Sequence, residues 1–419
     1  MNSRERILKT LRHQQTDKLP VDFGSSPTTG MHVALIYKLR QHYGLDEPGT
    51  PVKVTEPYQM LGEVKDDLLE IIGVDVIKLE GKGTFFGFNK ENWKRWKLND
   101  GTPVLVPELF NIEKNDDGSI YQYAKGDKKY PPSAKMPAKG FFFDSIIRQK
   151  LIIEENLNPE DNLEEFTLLS DVDISFLEKE IEKYNHNNDY AVLGMVASSS
   201  FGDIAFVPGP MLKKPRGIRD IEEWYISTIT RKDYIKNVFA GQLETALENY
   251  KRINESIGKM IDVVFVSGTD FGTQNGPFIS LELYRDLYKP YHKKVNDWIH
   301  DNTNWHTFIH CCGSIYELIP EFIDAGFDVL NPVQISAANM NPKKLKSEYG
   351  KDITFWGGGI DSQKTLPFGT PAQVKEEVKR LIDIFFSKGG FVFNSIHNIQ
   401  SNVPVENVIA MIDAIQEYR

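Results

Sequence analysis

The sequence predicts an α/β protein built as a (β/α)8 TIM barrel, with an N-terminal helical segment and a β-hairpin insertion. Short apolar runs bounded by turn residues alternate with helical segments, which is the pattern of parallel strands joined by helices. The joints LLEIIGVDVIKL and EFIDAGFDVLNP both end a helix at glycine and enter a strand through Asp-Val. This repeated joint favours a closed barrel over a doubly wound sheet. The eight runs are 19–24, 75–81, 190–198, 262–268, 306–312, 328–334, 353–358 and 391–395.

Composition and charge limit the class of protein. The chain has 419 residues, of which 40% are hydrophobic and 26% charged, so it can bury a large core. A formal charge of −10 argues against a nucleic-acid partner, because phosphate binding requires a basic surface. The first twenty residues are typical of an amphipathic helix rather than a signal peptide, and no apolar run is long enough to span a bilayer. We therefore expect a cytoplasmic protein that does not enter a membrane.

Residues 84–140 form a long excursion between the second and third predicted strands. Alternating residues around Asp-Gly turns in NWKRWKLNDGTPVLVPELF and NDDGSIYQYAKGD predict β-hairpins. Barrel enzymes elaborate their βα loops on the catalytic face, so this insertion is expected to form a wall or lid over the site. A surface hairpin without such a role is the alternative. No low-complexity linker divides the chain, and residues 1–419 are expected to form a single barrel domain.

The stretch TFIHCCGS at 307–314 contains the two cysteines of the chain. Side chains two residues apart in a strand share a face, so His310 and Cys312 should point the same way and Cys311 the opposite way. A cysteine here could also be an ordinary buried residue, because His-x-Cys alone does not hold a metal. His397, just beyond the eighth strand, lies on the same rim and is the best third ligand. Three protein ligands and an open position define a catalytic zinc site.

Other polar residues follow the predicted strands on that rim. Asp270, after the fourth strand, could supply a fourth oxygen ligand or a catalytic base, or could simply cap a turn. Amides on strand ends can orient a neutral oxygenated substrate by hydrogen bonds, although some could merely satisfy loop backbones. The expected substrate-binding residues are Gln274, Asn331, Gln334 and Asp361.

The sequence resembles the uroporphyrinogen decarboxylase superfamily, in its zinc-dependent, corrinoid-linked methyltransferase branch. The resemblance is strongest in HCCGSIYELIPEFIDAGFDVLNPVQ, ITFWGGGIDSQKTLPFGTPAQV and FVFNSIHNIQSNVPVENVIAMIDA. It implies a (β/α)8 barrel and a zinc site with His-x-Cys and a later cysteine. His310 and Cys312 match the first two ligands, whereas His397 stands in the stretch where the family has its cysteine.

The resemblance also implies a reaction, a cofactor and a partner. Decarboxylases of the family bind porphyrin carboxylates with arginines near the first strand. The corresponding stretch of this chain, VDFGSSPTTG, contains no arginine. The chain lacks the motif Asp-x-His-x-x-Gly, so the corrinoid (cobalamin) should be carried by a separate corrinoid-binding protein. Zinc held by one thiolate and two neutral imidazoles keeps a net positive charge and is a strong Lewis acid.

We therefore expect O-demethylation of a small methylated donor, a methyl ether, with transfer of the methyl group to that corrinoid. Two alternatives stay open. One is an acceptor-side enzyme that transfers methyl from methylcobalamin to a thiol or tetrahydrofolate. The other is a uroporphyrinogen decarboxylase-like lyase.

Overall fold

The computed structural model describes residues 1–184, 189–197 and 199–419. The described strands, in chain order, are β1 (Val52–Glu56), β2 (Leu61–Gly62), β3 (Val76–Glu80), β4 (Lys94–Lys97), β5 (Pro103–Val106), β6 (Glu113–Lys114), β7 (Ile120–Gln122), β8 (Ala134–Met136), β9 (Asp144–Ser145), β10 (Ala191–Met195), β11 (Val263–Ser267), β12 (His306–His310), β13 (Val329–Asn331), β14 (Thr354–Trp356) and β15 (Phe391–Val392). The described α-helices are α1 (Ser3–Leu11), α2 (Val33–His42), α3 (Asp66–Ile72), α4 (Asp171–Glu182), α5 (Ile221–Thr230), α6 (Lys232–Ile257), α7 (Leu281–Leu283), α8 (Lys289–Asn302), α9 (Ile319–Asp324), α10 (Pro342–Tyr349), α11 (Thr365–Phe368), α12 (Pro371–Phe385) and α13 (Val405–Gln416).

A curled parallel sheet organises the molecule. Its strand order is β15-β14-β13-β12-β11-β10-β3, so strands that follow one another along the barrel are neighbours in space. Each of these strands falls within one of the predicted runs, which confirms the α/β barrel-type fold. Ser198, at the end of the predicted run 190–198, lies outside the described residues.

The first predicted run, 19–24, joins the sheet by isolated contacts rather than as a regular strand. Val21 makes a parallel bridge with Phe393 and accepts the N–H of Asp75 at 2.8 Å, so the segment lies between β15 and β3. Two features prevent a longer ladder. Pro20 has no N–H to donate, and the N–H of Val21 is taken by the Asp75 carboxylate at 3.0 Å.

Local sequence explains the joints between helices and strands. Gly73 and Gly326 have φ values of 79° and 86°, the left-handed conformation in which glycine ends a helix at little cost. Helix α12 begins at a capping box in which Thr370 and Gln373 satisfy each other's backbone. Its buried residues recur at helical spacing on one face: Val374, Val378, Leu381, Ile382 and Phe385. The turn chemistry and the apolar period therefore specify the same helix ends and the same buried face.

Helix α1 closes the N-terminal end of the barrel. Its Ile7 and Leu11 pack in one buried cluster with interior side chains from the strands, among them Phe265, Phe308 and Trp356. The filled interior leaves the opposite, C-terminal end of the strands for a site. None of the described helices has the length and apolarity required to cross a membrane.

The excursion after β3 forms hairpins, as predicted. Strands β4 and β5 pair antiparallel around Gly101, and β6 to β9 form a second antiparallel sheet in chain order. The sequence did not lead us to expect β1, which pairs parallel with β5 and places the first hairpin in a sheet of order β2-β1-β5-β4. The assignment of residues 1–419 to a single domain stays a prediction.

Candidate metal centre

Three predicted metal ligands lie together at the C-terminal end of the barrel strands. His310 is the last residue of β12, Cys312 follows two residues later, and His397 lies in the loop after β15. One ligand atom from each lies within 4.8 Å of the others, and the Cys312 Sγ is 3.4 Å from the His310 Nε2. Two imidazoles and a thiol at this separation are a donor set suited to zinc.

Cys311 points away from this group. It is fully buried in the hydrophobic core, and its Sγ accepts the N–H of Phe271 at 3.3 Å. The alternation of side chains along β12 thus sends one thiol into the core and the other to the rim, as the strand period predicts.

Asn331 fixes the orientation of the His310 ring. Its Nδ2 donates to the carbonyl of Trp356 at 2.8 Å, so its Oδ1 faces the His310 Nδ1 at 2.6 Å and accepts from it. Thr28 Oγ1 donates to the same oxygen at 3.1 Å. The proton of the neutral ring is therefore held on Nδ1, and the Nε2 lone pair points toward Cys312 and His397.

Burial sets the protonation of the three groups. It lowers the pKa of His310 to about 4, and burial together with the neighbouring His310 ring lowers the pKa of His397 to about 4. Burial also raises the pKa of the Cys312 thiol well above its usual range. Both imidazoles are neutral donors near pH 7, and a bound cation would displace the thiol proton.

Asp270 lies directly beside the three residues. Its Oδ1 accepts the backbone N–H of Cys312 at 2.6 Å and is 3.9 Å from the His310 Nε2. Burial raises the pKa of this carboxyl. Asp270 thus fixes the loop that carries Cys312 and places a carboxylate at the edge of the centre, whereas its catalytic role stays a prediction.

Two glycines allow the loops after β11 and β12 to touch. A Cβ on Gly272 would lie 2.5 Å from the Cys312 carbonyl oxygen, and one on Gly313 would lie 2.4 Å from the Gly272 carbonyl carbon. Gly313 also has a φ of 93°, which side chains other than hydrogen disfavour. This close backbone contact holds Asp270 and Cys312 next to each other.

A cavity of about 640 Å³ opens from His310 and His397. Its wall includes residues at or after the ends of β3, β10 and β11, and the beginning of the excursion contributes Thr84, Phe85, Gly87 and Lys90. Three further residues line the cavity and were not expected from the sequence: Asp203, Glu56 and Tyr58. Asp203 follows the third predicted run, in FGD at 201–203. A carboxylate directly after a barrel strand is the sequence feature that could have marked it as a site residue.

The predicted substrate-binding residues lie outside the cavity lining. Gln334 accepts the N–H of Gly313 at 2.7 Å and donates to Gln274 at 3.1 Å, and Gln274 donates to the Ser336 carbonyl. Asp361 accepts backbone N–H groups in its own turn. These contacts tie the rim loops to one another, and together with Asn331 the four residues form no part of the cavity wall. Their contact with substrate stays a prediction.

Comparisons with known proteins agree with the barrel and relate part of the chain to one family. Residues 216–418 match the family model "Uroporphyrinogen decarboxylase (URO-D)". Uroporphyrinogen decarboxylase of Actinobacillus succinogenes is 30% identical over 79 residues, which is 19% of this chain and 22% of that protein. The same enzyme of Mannheimia succiniciproducens is 28% identical over 79 residues, with the same coverage of 19% and 22%. The chain thus matches only about a fifth of the length of these curated relatives.

A solved structure, "methyltransferase from Methanosarcina mazei", has the same fold over the whole chain. Its TM-score is 0.54 at 16% sequence identity, and the alignment covers 100% of this chain and 99% of that one. At this identity the likeness concerns the fold. Residues 216–418, just under half of the chain, are thus the part that matches the uroporphyrinogen decarboxylase family model.

Proposed function

We propose that the protein is a zinc-dependent methyltransferase that moves a methyl group between a small methylated donor, a methyl ether, and the corrinoid of a separate protein. The observation that carries this proposal is the convergence of His310, Cys312 and His397 at the mouth of a closed-ended barrel, beside a cavity of about 640 Å³. The methyltransferase of the same fold supports the reaction class.

The chain's own residues prepare the centre for zinc. Asn331 holds the His310 Nε2 free, burial keeps both imidazoles neutral, and the glycine contact fixes Cys312. When bound, zinc supplies Lewis acidity toward the heteroatom that leaves the methyl group. Because two imidazoles and one thiolate leave a net positive charge on the centre, this donor set favours leaving-group activation over a nucleophilic bound thiolate.

A decarboxylase-like lyase is the second candidate, because the curated relatives are uroporphyrinogen decarboxylases. Porphyrinogens carry several carboxylates, which require cationic partners. Among the described residues that line the cavity no arginine occurs, and the single lysine, Lys90, is paired with Glu80 at 2.6 Å. This charge distribution favours the methyltransferase.

The test mixes the zinc-loaded chain with a reduced corrinoid protein and a panel of methyl ethers, amines and thioethers. Formation of methylcobalamin, followed by absorbance, is the expected result. Demethylation of methylcobalamin by a thiol or tetrahydrofolate, without transfer from any donor, would place the enzyme on the acceptor side. Decarboxylation of a porphyrinogen without methyl transfer would establish the lyase.

A further inference from the structure

Asp203 presents a buried, unshared carboxylate oxygen to the cavity. The residue is 8% exposed and lines the cavity wall. Its Oδ1 accepts the N–H of Ala205 at 2.9 Å, while its Oδ2 lies against Gly268 and has no hydrogen-bond or ion-pair partner among the described residues. A largely buried carboxylate with one oxygen open to the cavity offers an acceptor to a partner from outside the chain.

Other charges that face the cavity leave it negative. Lys78 and Lys90 pair with Glu80 at 2.8 and 2.6 Å, and their two positive charges also balance the nearby Glu56. Glu165 is paired with Arg219 at 2.7 Å. Glu56 accepts the backbone N–H groups of Tyr58 and Gln59, and Lys78 supplies a nearby positive charge.

Zinc bound at the metal centre would not make the net charge of the cavity positive. The centre's single positive charge is offset by the adjacent Asp270, so the Asp203 carboxylate remains without counter-charge. Burial, with a further contribution from Asp270, raises the pKa of Asp203 to about 7, which is the response of a carboxyl that lacks a cation.

Aromatic rings stand beside this carboxylate. Phe206 lies three residues beyond Asp203 in the same turn, its ring centroid is 5.1 Å from that of Phe85, and Phe85 is 4.9 Å from Tyr58. We call these three side chains the aromatic wall. Ring faces beside a buried carboxylate attract alkylated ammonium groups, which are poorly hydrated and spread their charge over methyl groups.

We propose that the cavity binds a donor bearing a cationic nitrogen, held by Asp203 and the aromatic wall. This inference rests on the proposed function only in taking the cavity as the donor's site, and it concerns which group of the donor is bound rather than which bond is broken. It concerns residues other than the amides expected to orient a neutral donor, of which Gln334 donates to Gln274 and Gln274 donates to the Ser336 carbonyl.

The experiment compares two ligands of the same shape on the zinc-loaded protein by titration calorimetry. One is choline, and the other is the neutral alcohol in which carbon replaces its nitrogen. We expect choline to bind at least about 10-fold more tightly. The Asp203→Asn variant, which can still accept from Ala205, should bind both ligands equally, whereas Asp301→Asn on the exposed surface of α8 should match the native protein. A second variant, Phe206→Leu, should weaken choline binding and leave that of the alcohol nearly unchanged.

Equal binding of the two ligands by the native protein, no binding of choline, or discrimination that survives Asp203→Asn would overturn the proposal. These outcomes are separable from those of the methyl-transfer assay. Methyl transfer from neutral ethers without binding of choline would rule out the cation site and leave the proposed function standing. Choline binding without methyl transfer from any donor would support the cation site and rule out the proposed methyltransferase activity.

Discussion

Asn331 makes the contacts that decide which nitrogen of His310 faces Cys312 and His397. The amide is fully buried, and its orientation is set by the Trp356 carbonyl and by Thr28, both of which belong to other segments of the barrel. Hydrogen-bond partners of this kind orient a metal-binding histidine and raise its basicity as a ligand. The Asn331 amide therefore contacts His310 and lies outside the cavity lining.

Replacing Asn331 by alanine should lower zinc affinity by about 10- to 100-fold, because the His310 ring loses the acceptor that fixes its tautomer. Asn331→Asp keeps an acceptor at the same place and should recover most of the affinity. Competition with a chromophoric chelator measures both, and Asn302→Ala on the surface of α8 is the matched control. Native affinity in Asn331→Ala would show that the His310 orientation is held by other contacts.

The residue positions that could be predicted from the sequence are those set by strand direction and by the alternation of side chains along a strand. His310, Cys312 and His397 were predicted together because strand period and strand order place them on one rim. The hydrogen bond from Gln334 to Gln274 could not be predicted, because it depends on contact between two loops. The open oxygen of Asp203 depends in the same way on its packing against Gly268.

The excursion touches the cavity at its beginning rather than through its hairpins. Phe85 lines the cavity, whereas Trp96, on β4, packs on Phe110 with ring centroids 5.2 Å apart, away from the cavity lining. The pairing of β1 with β5 also ties the first hairpin to a segment that precedes β3. The predicted covering of the substrate by 84–140 is thus best tested at Phe85.

Phe85→Ala should raise KM about 10-fold with little change in zinc content, because the donor loses part of the aromatic wall. Trp96→Ala is the matched aromatic control. It should lower the free energy of unfolding by about 1–3 kcal/mol and leave KM unchanged. Steady-state kinetics and chemical denaturation separate the two effects, and native KM in Phe85→Ala would reduce the excursion to a peripheral role.

At the element scale, the hairpins and barrel strands were predictable from alternation and turn residues. The run 19–24 was recognised as a barrel segment, but its reduction to a single bridge was not, although Pro20 gave a local reason. Strand β1 was missed because VKVTE is short and its partner β5 lies some fifty residues later in the chain. Pairing between distant segments is decided by packing that a local pattern does not contain.

A buried charge network ties the chain ends to the barrel. The Asp75 carboxylate, fully buried before β3, accepts from Arg6 of α1 at 2.6 Å and from Arg419 at 2.7 Å. It also accepts the N–H of Val21. Helix α1, the first barrel segment and the last residue are therefore joined through one side chain.

Asp75→Ala should lower the free energy of unfolding by about 3–5 kcal/mol, because it leaves the buried guanidinium of Arg6 without one of its two carboxylates. Asp413→Ala breaks an exposed pair with Lys375 and should cost less than about 1 kcal/mol. Urea denaturation of both variants measures the difference. Similar values for the two would mean that the Asp75 network adds nothing to the closure of the barrel.

Zinc content of purified protein tests the central claim most directly, because the proposed chemistry requires the three ligands to bind one ion. Elemental analysis should find about one zinc per native chain, with metal lost from Cys312→Ala and retained by Cys311→Ala. Circular dichroism should show both variants folded, since a catalytic zinc supplies a small part of the stability of a chain of 419 residues. Full zinc in Cys312→Ala, or loss from Cys311→Ala alone, would contradict the account.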